Sequence, residues 1–342
     1  MHVLVTGATG FIGFHSASRL LAEGHSVRAL VRDPEKARRV LGKLGLNGDA
    51  LVLGDMTDST AVSRAMQGCD AVIHAAADVS VTTGQTDFSA NLRGTETVVG
   101  LASEQERPTI YVSSLAAIFD PHRPTNETSD LVRSRTHYGR SKAECDAWVR
   151  ARIVEGARVS IVYPPSVVGP DDPGLSESVK AYRGFLRGTL RSEGGMPMVD
   201  ARDFALLVTR MLETRTDGRI VAGGHFLNWD EFTEVLERVT GAEIPRITAP
   251  GWLLRGAART LDVVGKWTGL PMPMSGEGVE IATRFRKIGD SARIAELGIE
   301  WRPVAQTLED LFRWFLATGR LPAKAVPRLA ETDPVEQKLD RP

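Results

Sequence analysis

The chain opens Met1-His2-Val3-Leu4-Val5-Thr6-Gly7-Ala8-Thr9-Gly10-Phe11-Ile12-Gly13. An apolar strand pattern over residues 2–5 runs straight into three glycines. Beyond them Ile12, Ala17, Leu20 and Leu21 recur on one helical face. Strand, glycine turn and helix start, in that order, make a cradle for a phosphate. Gly7 permits the tight turn, Gly10 lets backbone N–H groups approach a pyrophosphate, and Gly13 lets the helix pack closely on the strand. The helix N-terminus adds unsatisfied donors and the positive end of its dipole. The loop residues Gly7, Thr9, Gly10, Phe11, Ile12 and Gly13 are therefore the expected cofactor contacts. Glycine spacing alone also fits an ordinary turn, and it is the placement between strand and helix that points to a dinucleotide.

Composition agrees with a globular protein and narrows its partners. The 342 residues are 42% hydrophobic and 25% charged, enough chain for one large domain or for two that share a core. A net charge of −1 supplies no basic field, which argues against nucleic acid as a partner. Cys69 and Cys145 form no CxxC pair, so no disulfide framework and no metal site is expected. No apolar run is long enough for an integral membrane segment, and a strand starting at residue 2 leaves no room for a signal peptide. The expected location is cytoplasmic.

Strand patterns at 26–31, 50–53, 71–74, 109–113 and 159–162 alternate with helical ones, including 91–104 and 138–153. That alternation predicts an α/β protein with a Rossmann-type doubly wound parallel sheet. Past residue 163 the pattern loosens into Pro- and Gly-rich sequence. Residues 1–162, completed by 196–222, read as the dinucleotide domain. Residues 163–195 and 223–320 read as a smaller C-terminal α/β substrate domain, with helices expected at 229–239, 252–267 and 308–317. The 252–267 stretch mixes Trp, Leu and Val with Arg255, Arg259 and Lys266, which fits a core-facing amphipathic helix or an interfacial one. Residues 321–342 lack periodicity and read as a disordered tail.

A doubly wound sheet takes its ligand where strand order reverses, between the first and fourth strands. Ala75, Ala76 and Ala77 then lie beside the glycine loop, as a flat cofactor surface or as plain packing. Asp55 and Met56 end the third strand, where they face an adenine, although an aspartate in a turn is also a local cap. At the end of the second strand an arginine accommodates the 2′-phosphate of NADP, whereas a carboxylate holds the NAD ribose. Arg32 stands there, with Arg39 two turns on, which favours NADP over NAD unless the stretch is merely a solvated basic helix start.

Catalysis points to Ser114, Tyr138 and Lys142. Tyr138 has a lysine four residues later, which puts both groups on one helical face. An ammonium near a phenol draws its pKa down from about 10, so the phenol can exchange a proton with a carbonyl oxygen near neutral pH. Ser113 and Ser114 end the fifth strand at the same sheet edge, where they can hydrogen-bond that oxygen. The motif taken alone also fits a surface tyrosine and lysine. Phe119, Tyr163, Val168 and Tyr182 are candidate pocket residues, each equally suited to a core.

The glycine loop, Asp55, the run 74–77, Ser113-Ser114, Tyr138-Gly139-Arg140-Ser141-Lys142 and Pro164-Pro165-Ser166-Val167-Val168-Gly169-Pro170 together resemble the extended short-chain dehydrogenases/reductases, the NAD-dependent epimerase/dehydratase-like group. Within it the chain is most similar to the dihydroflavonol-reductase and hydroxysteroid-dehydrogenase branch. The resemblance spans about residues 1–320 and implies Ser114, Tyr138 and Lys142 as the catalytic set, Lys142 also holding the nicotinamide ribose. It further implies that Pro164 and Val167 border the nicotinamide, and that the protein is a homodimer paired through the helices near 91–104 and 138–153. Sugar epimerases and dehydratases often carry Val-Tyr-Gly after the serine motif. Here the matching residues are Ile118-Phe119-Asp120, and Leu115 and Ala116 replace the dehydratases' acidic pair.

Three readings result. The first is an NADP-dependent oxidoreductase that reduces a ketone of a fairly apolar small molecule to a secondary alcohol, or runs the reverse, with Tyr138 as acid/base. The second is a nucleotide-sugar epimerase that returns the hydride to its own substrate. The third is a non-catalytic sensor of the NADP redox state, against which the complete Ser114, Tyr138 and Lys142 set argues.

Overall fold

The computed structural model describes residues 1–78, 88–134, 137–268, 279, 282–286 and 288–331; of residues 177, 259 and 261–268 the backbone alone is described. Seven parallel strands make the central sheet: β1 (His2–Thr6), β2 (Ser26–Val31), β3 (Leu51–Leu53), β4 (Ala71–His74), β5 (Thr109–Val112), β6 (Val159–Tyr163) and β10 (Arg219–Val221). Their order is β10-β6-β5-β4-β1-β2-β3, so the winding reverses at β1. The strands are short continuous apolar runs because both faces are covered; Val3, Leu4 and Val5 are each 0% exposed. The helices that cover them are α1 (Phe11–Ala22), α2 (Pro34–Leu41), α3 (Ser59–Met66), α4 (Ser89–Glu104), α5 (His137–Val154) and α7 (Ala201–Glu213). On α7 the buried Phe204, Leu207, Val208 and Met211 recur at helical spacing, and α7 lies against α1.

A second group of elements sits beyond the C-terminal end of β6. Strand β7 (Ser166–Val168) runs parallel to β9 (Gly195–Asp200), which pairs antiparallel with β11 (His225–Asn228). Strands β8 (Thr189–Arg191) and β12 (Arg246–Thr248) form a two-stranded sheet. Helices α6 (Glu177–Phe185) and α8 (Trp229–Thr240) close an aromatic cluster of Tyr182, Phe185, Trp229 and Phe232, their rings mostly edge to face at 5.2–5.9 Å.

Two expectations are corrected here. The strand at 196–199, assigned by sequence to the first domain, has β7 on one edge and β11 on the other and belongs to the second sheet; only α7 and β10 return to the first. Strand periodicity reports which face is buried, not which neighbour supplies the hydrogen bonds. The tail is ordered from residue 321 to residue 331. A short turn at Ala323–Ala325 and a helix at Pro327–Glu331 bury Val326 (0% exposed) and Leu329 (2%) against α8 and the helix Val304–Ala317. Two apolar anchors are too few for a periodic signal yet enough to hold an eleven-residue segment. Residues 332–342 lie outside the described chain. Helix α9 spans Gly251–Thr268, with Trp252 and Leu253 exposed at its start.

Candidate active site

Gly7 turns with φ +73°, in the left-handed region that glycine tolerates. A Cβ there would lie 2.7 Å from the Ala76 amide nitrogen, and a Cβ on Gly13 would lie 2.2 Å from the Gly7 carbonyl oxygen. Both glycines are thus needed to bring β1, β4 and α1 together at the winding reversal. Gly10 caps α1 without any side-chain bond to its first amides, and Thr9, Ile12 and Ala75–Ala77 stay partly exposed around it. The cradle is therefore open, and free backbone donors there suit a pyrophosphate. Phe11 commits its ring to the core, 8% exposed and edge-on to His15. His15 Nε2 donates to the Pro170 carbonyl at 3.0 Å, tying α1 to the Pro-rich loop after β7. Burial lowers the His15 pKa and keeps the ring neutral at physiological pH.

At the ends of β2 and β3, Arg32 is exposed and its Nη1 lies 3.7 Å from Asp55 Oδ2. Asp33 turns away from that edge: extended at φ −118°, ψ 108°, its carboxylate accepts from the Glu35 and Lys36 amides and caps α2. Asp55 Oδ1 accepts from both the Thr57 amide (2.9 Å) and its hydroxyl (2.7 Å). Partial burial of Asp55 opposes its charge, but those bonds and Arg32 leave its pKa below the usual carboxylate range. The local-cap reading of Asp55 holds, and its other carboxylate oxygen stands beside Arg32. Met56 packs its thioether over Gly94 of α4, and Arg39 is exposed on α2.

Helix α5 brings the catalytic candidates to the end of β5. Lys142 is 5% exposed, its Nζ donates to the Val112 carbonyl at 3.1 Å, and it sits 5.7 Å from the Tyr111 ring centroid. Burial draws the Lys142 pKa down, opposed in part by the nearby Asp146 carboxylate. Tyr138 is half-buried in the first turn of the same helix. Ser114 caps the turn Leu115–Ala117 by accepting from the Ala116 amide at 3.2 Å, which occupies a lone pair and not the O–H. That turn packs against α5. Leu115 N donates to the Pro164 carbonyl at 3.0 Å, so buried Pro164 adjoins the serine turn, and Val167 (7% exposed) follows on β7.

Ser113 departs from expectation. Its hydroxyl donates to Asp146 Oδ2 at 2.7 Å, deep in the core, and does not face the sheet edge. Three of the pocket candidates are likewise core: Tyr163 and Val168 are 0% exposed and Tyr182 1%. Phe119 alone lines a cleft, of about 640 Å³, where it stacks on Phe285 at 4.2 Å beside Ile118 and Leu131.

Sequence reasoning missed two residues. Asn91 of α4, 3% exposed, donates to the Asp78 carbonyl (3.0 Å) and Ser141 Oγ (3.1 Å) and accepts from the Asp78 amide (2.7 Å). It joins the end of β4 to the catalytic helix. His74 bridges Thr6 Oγ1 (2.7 Å) and Thr95 Oγ1 (3.3 Å), and burial with the Lys142 charge pulls its pKa to about 3, so the ring is neutral. Asn91 shares the buried face of α4 with Thr95, Val98, Val99 and Ala102, and a large polar side chain on that face was the available signal.

The comparisons with known proteins agree with this architecture. The family model described as NAD dependent epimerase/dehydratase family matches residues 3–223. A Synechocystis sp. protein, provisionally named dihydroflavonol 4-reductase, is 30% identical over 336 residues, covering 92% of this chain and 94% of that one. Cinnamoyl-CoA reductase 1 of Petunia hybrida is 27% identical, with 94% and 93% covered. Vestitone reductase from alfalfa (Medicago sativa L.) shares the fold with a TM-score of 0.69 at 18% identity, covering 94% of this chain and 99% of that one. The chain belongs to the NAD-dependent epimerase/dehydratase family and is an NAD(P)-dependent oxidoreductase of the extended short-chain dehydrogenase/reductase type.

Proposed function

We propose that this enzyme uses NADPH to reduce a ketone of a fairly apolar small molecule to a secondary alcohol, or runs the reverse. The observation that carries the reading is that the turn begun by Ser114 packs against α5, the helix that carries Tyr138 and a buried Lys142 anchored to the end of β5. The nicotinamide supplies or accepts the hydride. Gly7, Gly10 and Gly13 keep the cradle open to the pyrophosphate, and Lys142 holds the nicotinamide ribose, with Pro164 and Val167 bordering the ring. The Ser114 O–H orients the carbonyl oxygen and Tyr138 gives it a proton. The charge on Lys142 lowers the cost of the phenolate left behind. The stacked Phe119 and Phe285 give the cleft next to the serine turn an apolar contact for such a substrate, set among polar side chains that include Asp120, Arg123 and Asn126. Arg32, with Asp33 diverted to capping, favours the 2′-phosphate of NADPH over NADH.

The same reading takes the enzyme as a homodimer joined through α4 and α5, working in the cytoplasm. The experiment is NADPH oxidation by the purified protein against ketones, steroids, flavonoids and nucleotide sugars. Stoichiometric loss of NADPH with an apolar ketone supports the reading. Sugar interconversion with no net cofactor consumption overturns it in favour of an epimerase.

A further inference from the structure

Beneath the candidate site lies a buried charge network that the proposed chemistry does not touch. Asp146 of α5 is 0% exposed. Its Oδ2 accepts the Ser113 hydroxyl at 2.7 Å, and its Oδ1 accepts from Arg150 Nε at 2.6 Å and from the Tyr163 hydroxyl at 3.1 Å. Arg150 in turn donates to the Tyr163 oxygen at 3.0 Å and to the Ser129 carbonyl at 3.2 Å, and Arg219 reaches that carbonyl at 3.0 Å. Ser129 lies in the wall of the cleft.

The arrangement clasps strand to helix twice at adjacent positions. Lys142 grips the Val112 carbonyl, and one helical turn later Asp146 grips the Ser113 hydroxyl. Ser114 follows immediately and begins the turn against α5. A buried ion pair contributes little net stability, because desolvation offsets most of the Coulombic gain, and an apolar pair fills such a space as well. What an apolar pair lacks is direction. The short bonds at Asp146 set the rotation and axial position of α5 against the last residue before Ser114, and Arg150 extends the same frame to the cleft wall.

We infer that Asp146 is a positioning residue for the reaction: through Ser113 it fixes Ser114 relative to Tyr138 and Lys142, and through Arg150 it fixes the Ser129 wall of the cleft to the same unit. This rests on the proposed catalytic set, so one of the two measurements below is independent of it.

The test uses the full chain and begins with Ser113→Ala, which opens the clasp while leaving the Asp146–Arg150 pair intact. The expected result is a kcat at least about tenfold lower, since small misplacements of reacting groups are costly. The Kd for NADPH should stay within about twofold, a difference well under 1 kcal/mol. Ser113→Thr, which keeps the hydroxyl, should recover most of the loss. Amide hydrogen exchange over residues 114–118 should accelerate by about tenfold in Ser113→Ala, as a local opening cheaper than global unfolding. A kcat within twofold of the unsubstituted protein overturns the inference. If the unsubstituted chain reduces no carbonyl, the exchange rate decides alone, and unchanged protection of 114–118 overturns it.

Discussion

The Lys142 ammonium nitrogen lies 3.1 Å from the Val112 carbonyl oxygen, a bond that anchors α5 to the strand that delivers Ser114. An ammonium held this way, 5% exposed, is fixed in place and poorly screened, which is the condition for it to act on a phenol one turn away.

On the proposed mechanism Tyr138 is the proton donor of the set. Tyr138→Phe is expected to lower kcat by at least about a hundredfold, the usual scale of general acid catalysis. The NADPH dissociation constant should change little, because the lost hydroxyl serves the substrate. Steady-state kinetics with the best ketone and a fluorescence titration check both. Near-normal turnover removes Tyr138 from the mechanism.

Arg32 should select the cofactor. A guanidinium grips a phosphate through two parallel hydrogen bonds, and charge-assisted bonds contribute roughly 1.5–3 kcal/mol each. NADPH is thus expected to bind at least about tenfold more tightly than NADH. Arg32→Ala should erase that preference by weakening NADPH alone, since Asp33 is occupied at the cap of α2 and does not compete for the ribose. Equal dissociation constants for the two cofactors in the unsubstituted protein contradict the assignment.

His74 should make the fold acid-sensitive. Its folded pKa of about 3 lies below the unfolded value of 6.5, so between those values the unfolded chain binds a proton that the folded chain excludes. Stability therefore rises with pH across that window and is lost as pH falls from 6.5 towards 3, by up to about 1.4 kcal/mol per unit from this group. Urea unfolding at pH 7 and pH 5 should show the loss. His74→Gln should flatten the slope by close to one proton, with His15, also lowered by burial, supplying part of the remainder. An unchanged slope in that variant is the contrary result.

The quaternary state is open to a direct check. Light scattering of the tagless protein at micromolar concentration is expected to give about twice the 37.1 kDa chain mass, as pairing through α4 and α5 requires. A monomer across that range shows that these helices do not pair.

The first thirteen residues, with the strand–helix alternation that follows them, determined the fold class. A phosphate turn leaves its glycines in the sequence, because no side chain fits at Gly7 or Gly13. The Tyr138–Lys142 spacing was equally legible, since four residues of helix put two groups on one face whatever surrounds them. Asn91 was not, because its partners, Asp78 and Ser141, come from two other segments. Local sequence carries no record of a bond that only folding creates.

Ser113 and Ser114 mark the boundary most clearly. The sequence by itself determined that two hydroxyls end the fifth strand; it offered nothing to separate them. Tertiary structure gave Ser114 to the helical turn and Ser113 to Asp146, because neighbouring side chains on an extended backbone point to opposite sides and so meet different partners. The same holds for Arg32 and Asp33. Their order alone left either side chain to face the strand end, and a helix start in need of a cap took the carboxylate and left the guanidinium exposed at the edge.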